Sequence, residues 1–365
     1  MSKDIKPAPA FTPEQIGQHC LVTGGAGYLG SHIVRRLVAA GCKVRSLDVI
    51  KHQHEGDVEC VVGDLRDYDA VRAACEGIDT VFHSAAIINI QEIVRPSVRR
   101  FVHDVNVVGT QNIVRAATQA GVKAFVQTST FSVVLDRVLE DKDESLPYAT
   151  RTKDLYATTK IQAEKAVLAA DTEGGMRSCS MRPGGLWGGD TSCIMIRSIL
   201  EQIAKGNFKV LIGDGKATMD NTHVENLVDA HLLGAKALRE TPDTVGGQAY
   251  FIFDDEHYNA LEWFRPLVEG LGEKFPTFRL PGGMMREVAR LLEIINYLGG
   301  PEPTLTKRGI RNMIESSSFR IDKARRDLGY EPRYNRENGI PELLPLARAF
   351  VDRLRNQPNG SQQHA

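Results

Sequence analysis

The sequence lacks several features that mark large classes of protein. Nowhere in its 365 residues do 18 uncharged apolar residues run together, and the first 17 residues contain no apolar stretch typical of a signal peptide. We therefore expect no transmembrane segment. Neither sign of charge is in excess, because 45 basic and 46 acidic residues give a net charge of −1. We therefore expect no nucleic-acid partner.

Cysteine pairs with CxxC spacing are also absent. The six cysteines lie far apart, and most fall in apolar runs: Cys20, Cys42, Cys60, Cys75, Cys179 and Cys193. We interpret them as reduced core residues of a cytoplasmic protein. Four histidines likewise show no metal-ligand spacing and are expected to be packed or solvated: His83, His103, His223 and His231. The sequence therefore predicts no metal site.

Short β-branched runs do alternate with helical patterns over the first two-thirds of the chain, which is typical of βαβ units and a parallel sheet. The predicted strands are Cys20–Thr23, Lys43–Asp48, Glu59–Val62, Thr80–His83, Ala124–Thr128 and Arg177–Met181. The predicted helices are Tyr28–Ala40, Tyr68–Cys75, Val98–Ala120 and Asp154–Ala170. From Trp187 onward the alternation decays. The fold class is thus α/β, a doubly wound parallel sheet with a smaller C-terminal domain.

A glycine-rich run, residues 23–30 (TGGAGYLG), follows the first strand and opens a helix. Gly24, Gly27 and Gly30 allow a tight turn, close approach of the backbone to a pyrophosphate, and close packing of helix on strand. Tyr28 and Leu29 begin the helix whose N-terminus faces the anion. This pattern, in this context, predicts a Rossmann-type dinucleotide site.

Asp48 ends the second predicted strand, 18 residues after Gly30. A carboxylate there can accept hydrogen bonds from the adenosine ribose and would repel a 2′-phosphate, so NAD is the predicted cofactor. Lys51 and His52 follow closely and could weaken this preference, which leaves NADP as an alternative.

Tyr156 and Lys160 lie four residues apart on a predicted helix and share one face. A nearby ammonium, an oxidised nicotinamide and a helix N-terminus would each lower the pKa of the tyrosine, so that its phenolate could take a proton from an alcohol. Residues 127–130 (QTST) end the fifth strand, where such sheets line the cofactor crevice. A hydroxyl there can hold the substrate oxygen against Tyr156.

These features together resemble the extended short-chain dehydrogenase/reductases over about residues 18–345. Further matching motifs are Gly63-Asp64-Leu65, which in the family lies by the adenine, His83-Ser84-Ala85-Ala86, Asn106-Val107-Val108-Gly109-Thr110, and Arg182-Pro183-Gly184, which passes the nicotinamide.

The resemblance implies roles for individual residues. Tyr156 would be the acid/base, Lys160 would bind the nicotinamide ribose and tune Tyr156, and Thr130 would take the position usually held by serine. Ser129 is the alternative if Thr130 points away. The implied cofactor-binding residues are Gly24, Gly27, Tyr28, Leu29, Gly30, Asp48, Asp64, Leu65, Ala85, Thr128, Lys160 and Pro183.

The implied organisation divides the chain into four parts. Residues 1–17 and 355–365 would be flexible tails, 18–185 the NAD-binding domain, and 186–354 mostly a substrate-binding domain with some segments returning to the first. Homodimers are expected, because the long fourth and fifth helices of such folds commonly pair two subunits.

Within the superfamily the sequence is most similar to 3β-hydroxysteroid dehydrogenases and sterol-4α-carboxylate 3-dehydrogenases. The residues that suggest this lie in 182–188 (RPGGLWG), 213–226, 303–306 and 319–332. The implied substrate is a small apolar alcohol or ketone, with the 3β-hydroxyl of a steroid or sterol-like molecule foremost.

Two alternatives stay open. Nucleotide-sugar epimerases and dehydratases share the fold and catalytic set, but they usually carry an arginine where this chain has Met219. Arg197 or Arg311 could supply that charge from elsewhere. The other alternative is a non-catalytic NAD-binding regulator, against which an intact Thr130, Tyr156 and Lys160 set argues.

One helix is predicted to meet an interface. In residues 284–298 (MMREVARLLEIINYL) one face is apolar: Met284, Met285, Val288, Leu291, Leu292, Ile295 and Leu298. The other face holds Arg286, Arg290, Glu293 and Asn296. The helix could dock weakly on a membrane surface, or simply pack on its own domain.

Overall fold

The computed structural model describes residues 5–89, 91–136 and 138–356. Its strands, in chain order, are β1 (His19–Thr23), β2 (Lys43–Asp48), β3 (Val58–Val62), β4 (Thr80–His83), β5 (Ala124–Thr128), β6 (Leu139–Lys142), β7 (Arg177–Pro183), β8 (Gly185–Trp187), β9 (Leu211–Ile212), β10 (Thr218–Met219), β11 (Asn221–His223), β12 (Gln248–Ile252), β13 (Tyr258–Asn259), β14 (Arg279–Leu280) and β15 (Ser317–Phe319).

The α-helices are α1 (Pro13–Ile16), α2 (Tyr28–Ala39), α3 (Tyr68–Cys75), α4 (Pro96–His103), α5 (Gly109–Ala120), α6 (Leu155–Ala169), α7 (Ile194–Ala204), α8 (Val224–Glu240), α9 (Pro242–Val245), α10 (Arg265–Gly270), α11 (Gly282–Tyr297), α12 (Lys307–Ile314), α13 (Asp322–Leu328) and α14 (Arg336–Arg355). Short 3₁₀ helices span Phe131–Val134 and Glu262–Phe264, and a π-helix spans Asp104–Val108.

Seven parallel strands form the main sheet in the order β3-β2-β1-β4-β5-β7-β12. Strand order reverses between β1 and β4, which creates the crevice where open α/β sheets bind ligands. The carboxyl ends of β1, β4 and β5 are aligned at one edge of the sheet, because Thr23 pairs with His83 and His83 pairs with Gln127. The predicted α/β, Rossmann-type fold is confirmed.

The predicted helix Val98–Ala120 is interrupted. It begins at Pro96, where proline fits the first helical turn, and a π-helical turn over Asp104–Val108 separates α4 from α5. This turn carries the buried Asn106, whose side chain bonds both backbone groups of Ile87, at 2.7 Å from the N–H and 3.0 Å from the carbonyl. The irregular turn thus fixes the chain that leaves β4 toward the crevice.

The sequence analysis did not identify β12 as the seventh strand of the sheet. It pairs with β7, and α8 packs against β5 and β7. These segments of the C-terminal half therefore complete the main sheet and part of its helical layer. The rest of that half supplies β13, β10 and β15 to a small sheet, β13-β10-β15-β6, which β6 of the N-terminal half completes, and it forms a second core around Trp187 and Trp263.

The packed chain begins before Gln18, where the sequence analysis placed it. Pro13–Ile16 form a helical turn whose Ile16 is fully buried, and the Thr80 hydroxyl donates to the Ile16 carbonyl at 2.7 Å. At the other end α14 runs to Arg355, and residues 357–365 lie outside the described residues.

Within the described chain, no helix is both long and apolar enough to cross a membrane. The helix α11 turns much of its apolar face outward: Leu291 is 57% exposed and Leu298, just beyond its end, 78%. Its inner side buries Ala289 and Glu293, and the Glu293 carboxylate accepts from the backbone N–H groups of Ile93 (3.2 Å) and Lys307 (3.0 Å). An acidic residue predicted on the solvated face thus lies inside.

Candidate active site

The glycine turn between β1 and α2 is closed by backbone contacts. Gly24 has φ +70°, and a Cβ there would lie 2.8 Å from the backbone of Ala85. A Cβ on Gly30 would lie 2.0 Å from the Gly24 carbonyl oxygen. Only glycine fits either position. Gly27 caps α2 without a side chain, so the first-turn amides at Tyr28, Leu29 and Gly30 can face an anion.

Asp48 lies at the mouth of this turn. Its carboxylate accepts from the Ala26 N–H at 3.1 Å and is half-buried, so it is oriented and still open to a ligand. Asp64 lies beyond β3 and pairs with Arg66 at 2.5 Å, and that guanidinium lowers the pKa of the Asp64 carboxyl. Asp48 can therefore accept further hydrogen bonds from a ligand, whereas the charge of Asp64 is neutralised by Arg66.

The remaining predicted cofactor contacts line the same edge. Leu65 is buried and its carbonyl accepts from the Asn112 amide at 2.8 Å. Ala85 follows β4 and packs on Gly24, and Pro183 ends β7. Tyr28 donates its hydroxyl to the Gly188 carbonyl at 2.6 Å, which ties α2 to the C-terminal half of the chain.

Tyr156 and Lys160 lie in the first two turns of α6, both buried. The helix begins there because Asp154 caps it: one carboxylate oxygen accepts from the Tyr156 N–H at 2.9 Å and the Ala157 N–H at 3.2 Å. The sequence analysis placed Asp154 inside the helix. An aspartate two residues before the tyrosine is the N-cap signal that would have identified it.

Lys160 donates from Nζ to the Thr128 carbonyl at 2.5 Å, which joins α6 to the end of β5. The Thr128 hydroxyl contacts His231 Nε2 at 2.8 Å, and His231 Nδ1 lies 2.8 Å from the Leu227 carbonyl. A carbonyl only accepts, so His231 Nδ1 carries the proton and Nε2 accepts from Thr128. Thr128 therefore contributes its carbonyl to Lys160 while its hydroxyl is engaged elsewhere.

Thr130 caps the 3₁₀ turn that follows β5. Its hydroxyl oxygen accepts from the Ser132 N–H at 3.3 Å and lies 3.3 Å from the Ser132 hydroxyl. Ser129, the alternative, is also buried, and its hydroxyl has no hydrogen-bond partner among the described residues. Of the two candidate hydroxyls, that of Thr130 is therefore held by Ser132, whereas that of Ser129 is not held by any hydrogen bond among the described residues.

Arg308, which the sequence analysis did not identify, connects these groups from α12. Its guanidinium lies 2.7 Å from the free Asp154 oxygen, donates to the Ser132 hydroxyl at 2.8 Å, and stands 5.3 Å from the centre of the Tyr156 ring. Arg308 and Asp154 are both buried. No spacing signal links these positions in the sequence, so only the fold shows the contact.

The electrostatics of the site differ from the expectation. Burial raises the pKa of Tyr156 to about 12, and Arg308 is the cation that opposes this rise. Burial lowers the pKa of Lys160 to about 8, while Glu164 acts the other way. The protein alone does not produce the expected lowering of the tyrosine pKa, because desolvation of the phenolate outweighs the nearby charge.

Beyond β7, two methionines and an asparagine surround Gly185. A Cβ on Gly185 would lie 2.8 Å from Asn221 Oδ1, 3.3 Å from Met195 Sδ and 3.8 Å from Met219 Cε. Of the two arginines considered as phosphate ligands, Arg197 pairs with Glu201 on the surface. Arg311 has a buried Nε without a hydrogen-bond partner among the described residues.

Both tryptophans of the chain are core residues. Trp187 and Trp263 are buried against each other with ring centres 4.8 Å apart, and Trp187 Nε1 donates to Asp254 at 2.7 Å. Of the four histidines expected to be packed or solvated, His83, His223 and His231 are buried, and burial holds the pKa of each well below that of a free histidine.

Sequence comparison finds relatives along nearly the whole chain. The model of the 3-beta hydroxysteroid dehydrogenase/isomerase family matches residues 21–281. A Mycobacterium tuberculosis protein named 3 beta-hydroxysteroid dehydrogenase/Delta 5-->4-isomerase is 40% identical over 346 residues, covering 92% of each chain. The 3-beta-hydroxysteroid dehydrogenase of Mycolicibacterium neoaurum is 40% identical over 341 residues, again covering 92% of each.

Solved structures share the fold. The UDP-glucose 4-epimerase of Thermotoga maritima, solved with UDP-glucose, has a TM-score of 0.71 at 20% identity and covers 91% of this chain and 99% of its own. The Thermus thermophilus UDP-glucose 4-epimerase, solved with NAD, has a TM-score of 0.67 at 24% identity, with coverage of 93% and 99%. These likenesses establish the architecture alone.

Proposed function

The chain belongs to the 3-beta hydroxysteroid dehydrogenase/isomerase family, and on that premise we propose that it oxidises the 3β-hydroxyl of a steroid or sterol-like alcohol with NAD. The observation that carries the proposal is the joining of three elements at one edge of the sheet. Lys160 is bonded to the end of β5, Tyr156 lies one turn earlier on α6, and the glycine turn lies across the strand-order reversal.

The residues present fit NAD. Uncapped amides of α2 suit a pyrophosphate, and Asp48 is positioned for a ribose diol. NAD, when bound, supplies a hydride acceptor and a positive charge that favours the Tyr156 phenolate. Lys160, fixed by Thr128, would bind the nicotinamide ribose.

In this mechanism Tyr156 takes the hydroxyl proton of the substrate as the hydride leaves the adjacent carbon, and returns a proton in the reverse direction. Thr130 holds the substrate oxygen against it. Arg308 lies 5.3 Å from the centre of the Tyr156 ring and favours the phenolate, and Asp154 fixes both residues. Arg308 is a positioning residue, since it acts through Tyr156.

The substrate assignment rests on the two methionines that lie beside Gly185, just beyond β7. Met195 and Met219 beside Gly185 offer flexible apolar contact, which suits a fused alicyclic skeleton. A steroid buries several hundred Å² of apolar surface, and at about 25 cal/mol per Å² this supports micromolar binding after association costs.

The test is NADH formation with steroids, small secondary alcohols and nucleotide-sugars, with thermal shift in parallel. We expect a 3β-hydroxysteroid to be oxidised, and UDP-glucose and UDP-galactose neither to react nor to stabilise the protein. Activity confined to nucleotide-sugars would overturn the proposal.

One observation favours the nucleotide-sugar alternative. Arg311, whose buried Nε has no hydrogen-bond partner in the part of the chain that the structure describes, lies on α12, which packs against the strand that carries Met219. If this cation meets a diphosphate, Arg311→Met should abolish the thermal stabilisation by UDP-sugars. If the steroid proposal holds, there is no such stabilisation to abolish.

We also propose that α11 contacts lipid surfaces. Its outward residues include Met284, Val288, Leu291 and Ile295, each more than a third exposed, and the proposed substrates partition into lipid. Liposome flotation should show weak association that Leu291→Gln with Ile295→Gln removes. Leu346→Gln, which replaces an exposed leucine on α14, is the matched control. Equal flotation of all three proteins would contradict this role.

We propose, finally, that the chain forms homodimers through the faces of α4 and α6, which lie side by side at the surface. Light scattering after size exclusion should give twice the mass of the chain, and Thr158→Arg, on the outer face of α6, should give the monomer. A monomeric wild type would contradict this.

A further inference from the structure

Two histidines and a cysteine meet behind the glycine turn, outside the catalytic machinery. One ligand atom of each of His52, His54 and Cys60 lies within 4.8 Å of the other two. Cys60 is on β3 and pairs in register with Ser46 on β2, so the two side chains point to the same face of the sheet. The loop between these strands brings both histidines back over that face.

Ser46 holds the two imidazoles in place. Its hydroxyl lies 2.8 Å from His52 Nε2 and 3.0 Å from His54 Nε2. His52 Nδ1 lies 2.9 Å from the Ile50 carbonyl, which only accepts, so Nδ1 carries the proton and Nε2 presents a lone pair. A histidine whose other ring nitrogen donates to a carbonyl is oriented as metal-bound histidines are.

From this geometry we propose that His52, His54 and Cys60 bind one thiophilic divalent cation of the Zn²⁺ class. Two imidazoles and a thiolate are ligands that select Zn²⁺ over Mg²⁺ or Ca²⁺. Binding requires the ligand atoms to close to about 3.5 Å of one another, which side-chain rotation on a half-buried loop permits. The Cys60 thiol gives up its proton to solvent, and water completes the coordination. This departs from the expectation of no metal site.

The site is coupled to the cofactor through Ser46. A Cβ on Gly25 would lie 1.9 Å from the Ser46 hydroxyl oxygen, so that hydroxyl packs directly against the glycine turn. Cation binding would break the contacts between the two imidazoles and the Ser46 hydroxyl. It would also place positive charge near Asp48, which ends β2, the strand that carries Ser46. We expect a bound cation to weaken NAD binding, and NAD to weaken cation binding by the same factor.

The first experiment titrates the purified, metal-free protein with Zn²⁺ against a chromophoric chelator, and with Co²⁺ while recording its visible spectrum. We expect one ion per chain and the intense visible bands of tetrahedral, thiolate-bound Co²⁺. Cys60→Ser and His54→Gln should each weaken Zn²⁺ binding at least about 10-fold. His103→Gln, which changes a histidine on α4, should leave it unchanged. Circular dichroism shows whether each variant is folded.

The second experiment measures the dissociation constant of NAD by calorimetry with and without Zn²⁺. We expect the affinity to fall roughly 5-fold or more in the wild type and not to change in Cys60→Ser. Zn²⁺ binding that survives both ligand substitutions, or octahedral Co²⁺ spectra, would overturn the site. An unchanged NAD affinity in the Zn²⁺-loaded wild type would overturn the coupling. Neither result depends on which alcohol the enzyme oxidises.

Discussion

The two ends of the crevice are built in different ways. At the proposed adenosine end, the backbone of the glycine turn and the Asp48 carboxylate are contacted by β1, β2, β4 and the loops that follow them. At the proposed catalytic end, Arg308 arrives from α12 in the C-terminal half, where it pairs with Asp154, donates to the Ser132 hydroxyl and lies beside the Tyr156 ring. The residues proposed to bind the cofactor are therefore held by local contacts, whereas the surroundings of Tyr156 depend on how the two halves pack.

This difference suggests that the two ends can be altered independently. Substitutions at the adenosine end should change cofactor affinity and leave the turnover at saturating cofactor alone. Substitutions at the catalytic end should lower the turnover and leave cofactor affinity unchanged.

The largest expected effect is that of Tyr156→Phe. Removing the proton acceptor should lower kcat at least about 100-fold, the scale of general acid/base catalysis, with the dissociation constant of NAD unchanged. Stopped-flow turnover and calorimetric NAD titration of the same preparation measure both. Near-normal turnover would exclude Tyr156 as the acid/base.

Arg308→Met should come next, with a loss in kcat on the order of 10-fold, equivalent to roughly 1.4 kcal/mol. Since Arg308 lowers the pKa of Tyr156, its removal should also move the rise of alcohol oxidation to higher pH. The uncompensated Asp154 should reduce the free energy of unfolding by about 3–5 kcal/mol.

Two controls separate positioning from simple destabilisation. Arg308→Lys retains the charge and should restore the pH profile of alcohol oxidation even where the unfolding midpoint stays low. NAD affinity should be unaffected in both variants. An Arg308→Met protein with an unshifted pH profile would show that the arginine matters only for stability.

At the adenosine end, Asp48→Ala should reduce NAD affinity about 5-fold, because the lost ribose hydrogen bonds contribute about 1 kcal/mol. The ratio of NAD affinity to NADP affinity should fall as a result. The kcat at saturating NAD should not change. Parallel kinetics with NAD and NADP measure this. If the wild type prefers NADP, the interpretation of Asp48 is wrong.

The smallest effect is expected for Asp64→Asn. Its carboxylate already pairs with Arg66 at a partly exposed position, where such pairs contribute about 1 kcal/mol or less. NAD affinity should change by less than about 3-fold. A larger loss than that of Asp48→Ala would show that the adenine side, rather than the ribose, dominates binding.

The same contrast explains how far the sequence could be interpreted. The glycine turn and its helix were predictable because glycine spacing and strand–helix order are local properties of the chain. So were Tyr156 and Lys160, one turn apart on α6. Arg308 could not be found, because its partners are set by packing between distant segments.

Two further differences follow from the same limit. The strand β12 is a short apolar run, and such a run does not distinguish a strand from a buried helix. The raised pKa of Tyr156 depends on its burial, which residue spacing does not report. The strand character of β12 and the pKa of Tyr156 both depend on tertiary packing.

The most direct test of the proposed activity compares two epimers of one steroid. The initial rate of NADH formation is measured with a 3β-hydroxysteroid and with its 3α-hydroxy epimer, each with wild type and Tyr156→Phe. We predict that the wild type oxidises the 3β epimer, that Tyr156→Phe loses this activity, and that the 3α epimer is inert with both. Equal rates for the two epimers, or 3β oxidation that persists in Tyr156→Phe, would contradict the account.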